Sequence, residues 1–271
     1  MNNHTLRNNN DLNYWKLASR LESGRATVLR QVARGDDLAN ILNLLCEKAE
    51  DYNPEMMCSV LQLNEDDSTL HPIASASLPK EYCAALDGVT IGQGVGSCGT
   101  AAFQKKRVVV EDINTHPYWS QYKELALSAG LQACWSEPIM SLNGVVLGTF
   151  AVYHAEARNP VSLEVEIMEI SSQLGGIAIE HDQTKQLLSD MNESLERRVE
   201  KRTQDLATAN TELERSNDEL RQFAYIASHD MQEPLRMVTN FGQLLQRSLP
   251  NDANADTRDS LGFVVEGGQR M

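Results

Sequence analysis

The sequence predicts an α+β domain, a central antiparallel sheet with flanking helices, followed by a long coiled-coil helix and a helical hairpin. Three observations carry this. Met57 to Leu63 and Leu70 to Ala76 alternate in strand fashion across the polar turn Asn64-Glu65-Asp66-Asp67-Ser68, and Ala133 to Leu142 and Val145 to His154 do the same across Asn143-Gly144. Two hairpins are therefore expected. Helical spacing brackets them, through Val28, Val32, Leu38, Ile41, Leu42, Leu45 and Ala49 before, and Val165, Ile167, Met168, Ile170, Leu174, Ile177 and Ile179 after. Further on, Leu188, Asn192, Leu195, Val199, Arg202, Leu206, Ala209, Leu213, Ser216, Leu220, Phe223 and Ala227 alternate in steps of three and four, the signature of a coiled-coil seam.

Taken in order, residues 1–20 are Asn-rich and expected to be mobile, with Leu12, Trp15 and Leu17 available to begin a helix. Gly35-Asp36-Asp37 interrupts the helical pattern of Leu21 to Asp51 and predicts a break with a fresh N-cap. Pro79 to Leu86 is expected to form a short helix. Gly88 to Gly99 is expected to be a glycine-rich loop running into a helix at Thr100 to Gln104. Val108 to Val110 forms a short buried strand and Tyr118 to Ala129 a helix. Asn143-Gly144 is the pair that a type I′ turn requires. Pro160 and Ser162 open a helix that meets no stop before Pro234. The expected divisions are a mobile segment 1–20, a folded domain 21–181, a coiled-coil helix 182–220 and an incomplete dimerisation hairpin 221–271.

Composition narrows the function. The formal charge of −14 over 271 residues argues against a nucleic-acid partner, which would repel the chain. No apolar run approaches the roughly 18 residues of a membrane span. Met1 to Asn10 lacks the apolar core of a signal peptide. Five cysteines at irregular spacing form neither a disulfide framework nor a zinc pattern. A cytoplasmic protein without a metal site is expected.

Phe223-Ala224-Tyr225-Ile226-Ala227-Ser228-His229-Asp230-Met231-Gln232-Glu233-Pro234-Leu235-Arg236 carries the sharpest chemical signal. His229 lies two residues past the seam position Ala227, on the flank facing water. Pro234 lacks the helical N–H and clashes with the Asp230 carbonyl, so a kink is expected there. A neutral imidazole is a nucleophile, and Asp230 is placed to orient it. This stretch resembles the phosphoacceptor box of the sensor histidine kinases of two-component systems. The resemblance implies that His229 takes a phosphoryl group from ATP held by a catalytic domain and passes it to the receiver domain of a response regulator. It also implies a homodimer built from the coiled coil and the phosphoacceptor helices. Many members place Thr or Asn before the proline to position water for dephosphorylation; Glu233 stands there, so phosphatase activity is not expected. The chain reaches Met271 with no ATP-binding motif. ATP is therefore expected only through a catalytic domain outside this chain, acting in cis or in trans, and the chain alone is expected to be inactive. The reading from another class is a non-enzymatic dimeric relay or scaffold phosphorylated by a separate kinase. The polar seam residues Asn192, Arg202 and Ser216 are expected to weaken packing while restricting register.

Gly94-Val95-Gly96-Ser97-Cys98-Gly99-Thr100-Ala101-Ala102, Val109-Val110-Glu111-Asp112-Ile113, and Pro138-Ile139 followed by Gly144-Val145-Val146-Leu147-Gly148-Thr149-Phe150 resemble a GAF sensor domain over roughly residues 25–181. Cys98, Trp119, Cys134 and Trp135 are the candidate pocket residues, and the amides of the Gly92 to Gly99 loop are candidate anion donors. The ligand is unassigned. There is no Asn-Lys-Xaa-Asp-Glu signature for a cyclic nucleotide and no Cys-His pair for a bilin. His71, His116 and His154 are expected to be surface or capping residues. Cys98-Gly99-Thr100-Ala101-Ala102 is also similar to a stretch of the free-methionine sulfoxide reductases, whose further catalytic cysteine lies farther before the last hairpin than Cys134 does. A thiol reductase or redox sensor using Cys98 is the alternative function. Cys46, Cys58 and Cys83 are expected to be buried and inert.

Overall fold

The computed structural model describes the backbone of residues 3–64, 66–250 and 254–270, and the side chains of 19–64, 66–250 and 254–270. The expected mobile segment 1–20, with Leu12, Trp15 and Leu17, falls almost wholly outside the described side chains; so do Glu65 of the first turn and Asn251, Asp252 and Ala253 of the last. The chain divides into two compact units, Met1–Asp190 and Met191–Met271.

In the first unit, helix α1 (Asn3–Arg34) ends where Gly35 takes a left-handed φ of +70°, and the Asp37 side chain caps α2 (Leu38–Glu50) by accepting from the Asn40 amide. Strands β1 (Met57–Asn64) and β2 (Thr69–Ser75) form the first hairpin, and α3 (Lys80–Ala85) and β3 (Val89–Thr90) follow. Then come α4 (Gly96–Gln104), β4 (Val108–Val110), a 3₁₀ turn (Pro117–Trp119), α5 (Lys123–Ser128), β5 (Ala133–Met140), β6 (Val146–His154) and α6 (Ser162–Ser248). The six strands pair antiparallel in the order β3-β2-β1-β6-β5-β4.

The sheet separates two cores. On one face Val28, Ile41, Leu42 and Leu45 of the first helices meet Val60, Trp135, Ile139, Phe150 and Val152, closed by Ile167, Met168 and Leu174 of α6. On the other, Tyr82, Cys98, Ala101, Trp119 and Ala126 cover Leu61, Cys134, Ala151 and Tyr153. The start of α6 is fastened by Glu164, whose buried carboxylate accepts from the Val161 amide (2.9 Å), Asn53 (3.0 Å) and both terminal nitrogens of Arg158 (3.0 and 2.9 Å). Further along, α6 lies directly on β5. A Cβ on Gly176 would come within 2.6 Å of the Met140 carbonyl, so only glycine lets the two backbones approach this closely.

Three local expectations are corrected. Helix α4 begins at Gly96, a turn earlier than Thr100, so Ser97 and Cys98 are helical. The helix expected over 118–129 is divided between the 3₁₀ turn and α5. The β5–β6 turn is not type I′. Only Gly144 is left-handed there, the Gly144 amide donates to the Ser141 carbonyl (3.0 Å) and the Ser141 amide to that of Val145 (2.8 Å), making a three-residue loop closed by a left-handed glycine. Helix α6 itself runs through Pro234 to Ser248, ending just before Leu249-Pro250.

In the second unit, the rest of α6 meets α7 (Ala255–Arg270), which runs back along it with Val265 against Gly242 and Gly268 against Thr239; Val265 and Thr239 are both buried. The seam residues Leu195, Val199, Leu206, Leu213, Leu220 and Phe223 are 51% to 72% exposed. Among the described residues no helix is long and apolar enough to cross a membrane.

Candidate functional site

The sheet face beneath α4 is built from cross-strand rows. Met57, Tyr153 and Cys134 stand side by side; next to them run Ser59, Ala151 and Ser136, and then Leu61, Thr149 and Pro138. Alanine at the centre leaves a small polar floor of Ser59, Ser136 and Thr149, all essentially inaccessible to water.

The first turn of α4 is held over this floor by a relay. The Trp119 indole N–H donates to the Ser97 hydroxyl (3.0 Å), which donates to the Cys134 carbonyl (3.0 Å). Thr100 donates to the Gly96 carbonyl (2.7 Å) and accepts from the Gly94 amide (3.1 Å), while the Gly92 amide donates to the Gly99 carbonyl (3.2 Å). Two of the loop amides offered by the sequence as anion donors are therefore spent inside the loop. Gly99 is required, since a Cβ there would sit 3.0 Å from the Thr90 carbonyl and from Val95.

This framework delivers the Cys98 sulfur 3.9 Å from the Tyr153 hydroxyl, in the core cluster that also holds Cys134. The two thiols are driven apart in acidity. A hydrogen bond from Cys134 pulls Cys98 down to about 7 against the opposing effect of burial, helped by the nearby hydroxyls of Ser136, Thr149 and Tyr153. Burial, followed by the neighbouring Cys98, pushes Cys134 well up. The hydroxyls of Ser59, Ser136, Thr149 and Tyr82 make no full hydrogen bond within the described residues. Each such buried orphan costs about 1–3 kcal/mol. Cys98 and Trp119 also line a cavity of about 30 Å³ with Leu61, Val95, Tyr122 and Tyr153, room for roughly two water molecules.

Of the four candidate pocket residues, Cys98, Trp119 and Cys134 come together. Trp135 does not: strand alternation turns it to the opposite core, where its ring lies 4.7 Å from that of His154 and 5.5 Å from the Arg158 guanidinium. His154 is correspondingly a buried residue rather than a surface or capping one. His116 does cap, accepting from the Tyr118 amide (3.3 Å), and His71 is half-exposed between Asp87 (2.7 Å) and Thr69 (2.8 Å). Sequence reasoning misses Ser59, Ser136, Thr149 and Tyr153. The only signal for the first three is a small polar residue recurring at core-facing strand positions.

In the second unit, His229 stands with its side chain 67% exposed and Nδ1 3.4 Å from Asp230 Oδ1. Gln232, Glu233 and Arg236, one and two turns on, flank the same shallow hollow. Pro234, inside the helix, withholds the N–H that the Asp230 carbonyl would otherwise accept. An exposed imidazole whose Nδ1 is steadied by a carboxylate leaves Nε2 free as a nucleophile.

A model of the GAF domain family matches residues 35–180. The methyl sulfide methyltransferase-associated sensor of Methanosarcina acetivorans is 38% identical over 180 residues, covering 66% of this chain and 18% of that protein. Cyanobacterial phytochrome A of a Nostoc species is 46% identical over 69 residues, 26% of this chain and 9% of that protein. The chain thus spans less than a fifth of the length of either relative. In fold it is similar to the GAF domain of a phosphoenolpyruvate-protein phosphotransferase from Coxiella burnetii, with a TM-score of 0.52 at 17% identity over 63% of this chain and 98% of that one. With more than half its length matched by the family model and the six-stranded sheet in place, this chain belongs to the GAF domain family.

Proposed function

We propose that this chain is the sensory part of a two-component sensor histidine kinase, in which the state of the GAF domain governs phosphorylation of His229 and onward transfer to a receiver domain. The observation that carries the reading is the placement of His229: exposed, off the apolar seam, and beside Asp230. Kinship with a protein named as a sensor supports the signalling half of the reading. The helix that leaves the GAF domain and continues to His229 supplies a covalent route between the two. The apolar seam is the dimerisation surface, pairing two copies of the chain along residues 182–220 and through the helices of 221–271.

In this scheme Nε2 of His229 attacks the terminal phosphorus of ATP held by a kinase catalytic domain, supplied in cis or in trans. Asp230 holds the Nδ1 proton and stabilises the imidazolium as it forms. Pro234 loosens the helix by one hydrogen bond, so the histidine turn can adjust to its partners at low cost. Glu233 in place of a neutral water-positioning residue favours net phosphorylation over phosphatase action.

The test is phosphorylation of the chain by an added kinase catalytic domain with labelled ATP, for wild type and His229→Ala. Acid-labile, base-stable label that disappears in the variant is expected. Absence of label in an intact dimer, with the natural downstream sequence also supplied, would overturn the phosphoacceptor role and leave a scaffold.

A further inference from the structure

We propose that Cys98 and Cys134 form a redox-active pair, closed to a disulfide by a hydroperoxide small enough to enter the cavity that Cys98 lines. The inference uses the GAF domain alone and holds whether or not His229 is phosphorylated.

Placement is the first support. Cys98 lies in the first turn of α4, and the relay from Trp119 through Ser97 to the Cys134 carbonyl fixes that turn over the strand that carries Cys134. Cys134 stands directly across from Tyr153, whose hydroxyl is 3.9 Å from the Cys98 sulfur. The two thiols are therefore held in the same core cluster, around the same tyrosine, by the elements that bear them.

The second support is the floor. Ser136 and Thr149 face the Cys98 sulfur as hydroxyls without a full hydrogen bond. A neutral thiol is a weak acceptor, so those donors are wasted on it. A thiolate uses them, and an anion in that position converts the cost of buried orphans into charge-assisted hydrogen bonds. The lowered pKa of Cys98 agrees with this arrangement.

The third support is an internal control. Cys46 and Cys58 are also buried, but burial pushes both thiols up, aided by Glu50 at Cys46 and by Cys46 and Glu50 at Cys58. No comparable set of donors surrounds them among the described residues. The same chain thus holds one activated thiol, Cys98, and buried thiols that are not activated.

The cavity, at about 30 Å³, has room for a peroxide beside Cys98. The Cys98 thiolate attacks one peroxide oxygen, the O–O bond breaks, and the departing hydroxide takes up a proton to leave as water. Cys98 is then a sulfenic acid. The Cys134 sulfur attacks the Cys98 sulfur, the S–OH bond breaks, and the Cys134 proton leaves with the hydroxide as a second water. Two electrons have passed from the thiol pair to the peroxide. Two equivalents of a small thiol return the pair to its reduced form by exchange.

The test treats the full chain with hydrogen peroxide, blocks the remaining thiols with iodoacetamide under denaturing conditions, and maps the digest by mass spectrometry. A Cys98–Cys134 linked peptide, abolished by dithiothreitol, is expected, with Cys46 and Cys58 alkylated. Cys134→Ser should accumulate a dimedone adduct on Cys98 and yield no link. Full alkylation of Cys98 and Cys134 after peroxide treatment would overturn the proposal, as would oxidation of Cys46 and Cys58 at the same rate. The wild-type digest decides between these outcomes by itself, whether or not the Cys134→Ser variant folds.

Discussion

Replacing Thr149 by valine exchanges a hydroxyl for a methyl group of nearly the same size at a position with no exposed surface. In most cores this swap is costly, because the hydroxyl had a partner. Here Oγ1 has no full hydrogen bond. A buried orphan hydroxyl costs about 1–3 kcal/mol, and its attraction to the Cys98 sulfur offsets part of that. A gain of about 1 kcal/mol is expected, equivalent to roughly 2–4 °C in the melting temperature of a domain this size. The same substitution removes one of the groups that hold Cys98 down to about 7, so the pH at which Cys98 becomes reactive should move up. Stability is measured by urea titration of the GAF domain, followed by the fluorescence of buried Trp119 and Trp135, and reactivity by the pH dependence of Cys98 alkylation. The reasoning fails if Thr149→Val loses about 1 kcal/mol or more, since the hydroxyl would then have a partner that the buried floor does not supply.

Two further outcomes are expected. Burial, and then the charge of Arg158, hold the His154 imidazole below its ordinary value of 6.5. The stability this contributes is fully present above 6.5 and is lost as pH falls below it, so the urea midpoint of the GAF domain should drop between about pH 7 and pH 5 and drop less in His154→Phe. Equal slopes for the two proteins would remove His154 as the source. In the second unit, deleting one or two residues near Glu200 shifts the seam out of register and should change His229 phosphorylation, whereas deleting seven restores the heptad and should be tolerated. Equal effects from both deletions would sink the seam as a signalling element.

Structure is legible in this sequence wherever the deciding interaction is local. Gly35-Asp36-Asp37 announces both the left-handed break and the cap, because each acts within four residues. Asn143-Gly144 locates the hairpin correctly but not its type, since the extra loop residue depends on how β5 and β6 register across a bulge. The start of α4 is obscured because Gly96 and Gly99 read as loop residues. Gly99 is instead the place where Thr90 and Val95 crowd the helix, a constraint visible only in three dimensions. Trp135 adjoins Cys134 in sequence, yet neighbours on a strand face opposite ways, so only one of the two can reach the pocket. His229 is legible from its neighbours alone. The unpaired state of Ser59, Ser136 and Thr149 is not, because a hydroxyl is an orphan only by virtue of what the rest of the chain fails to bring to it.

The glycine contact between α6 and β5 has a mechanical consequence. Side chains ordinarily act as compliant cushions between packed elements, taking up small displacements by changing rotamer. At Gly176 the helix backbone bears directly on the Met140 carbonyl, and no such cushion exists. The joint therefore behaves as a hard bearing, stiff against approach. Strand β5 carries Cys134 near one end and this bearing at the other. A shift of β5 toward α6 at that end would meet helix backbone rather than side chain.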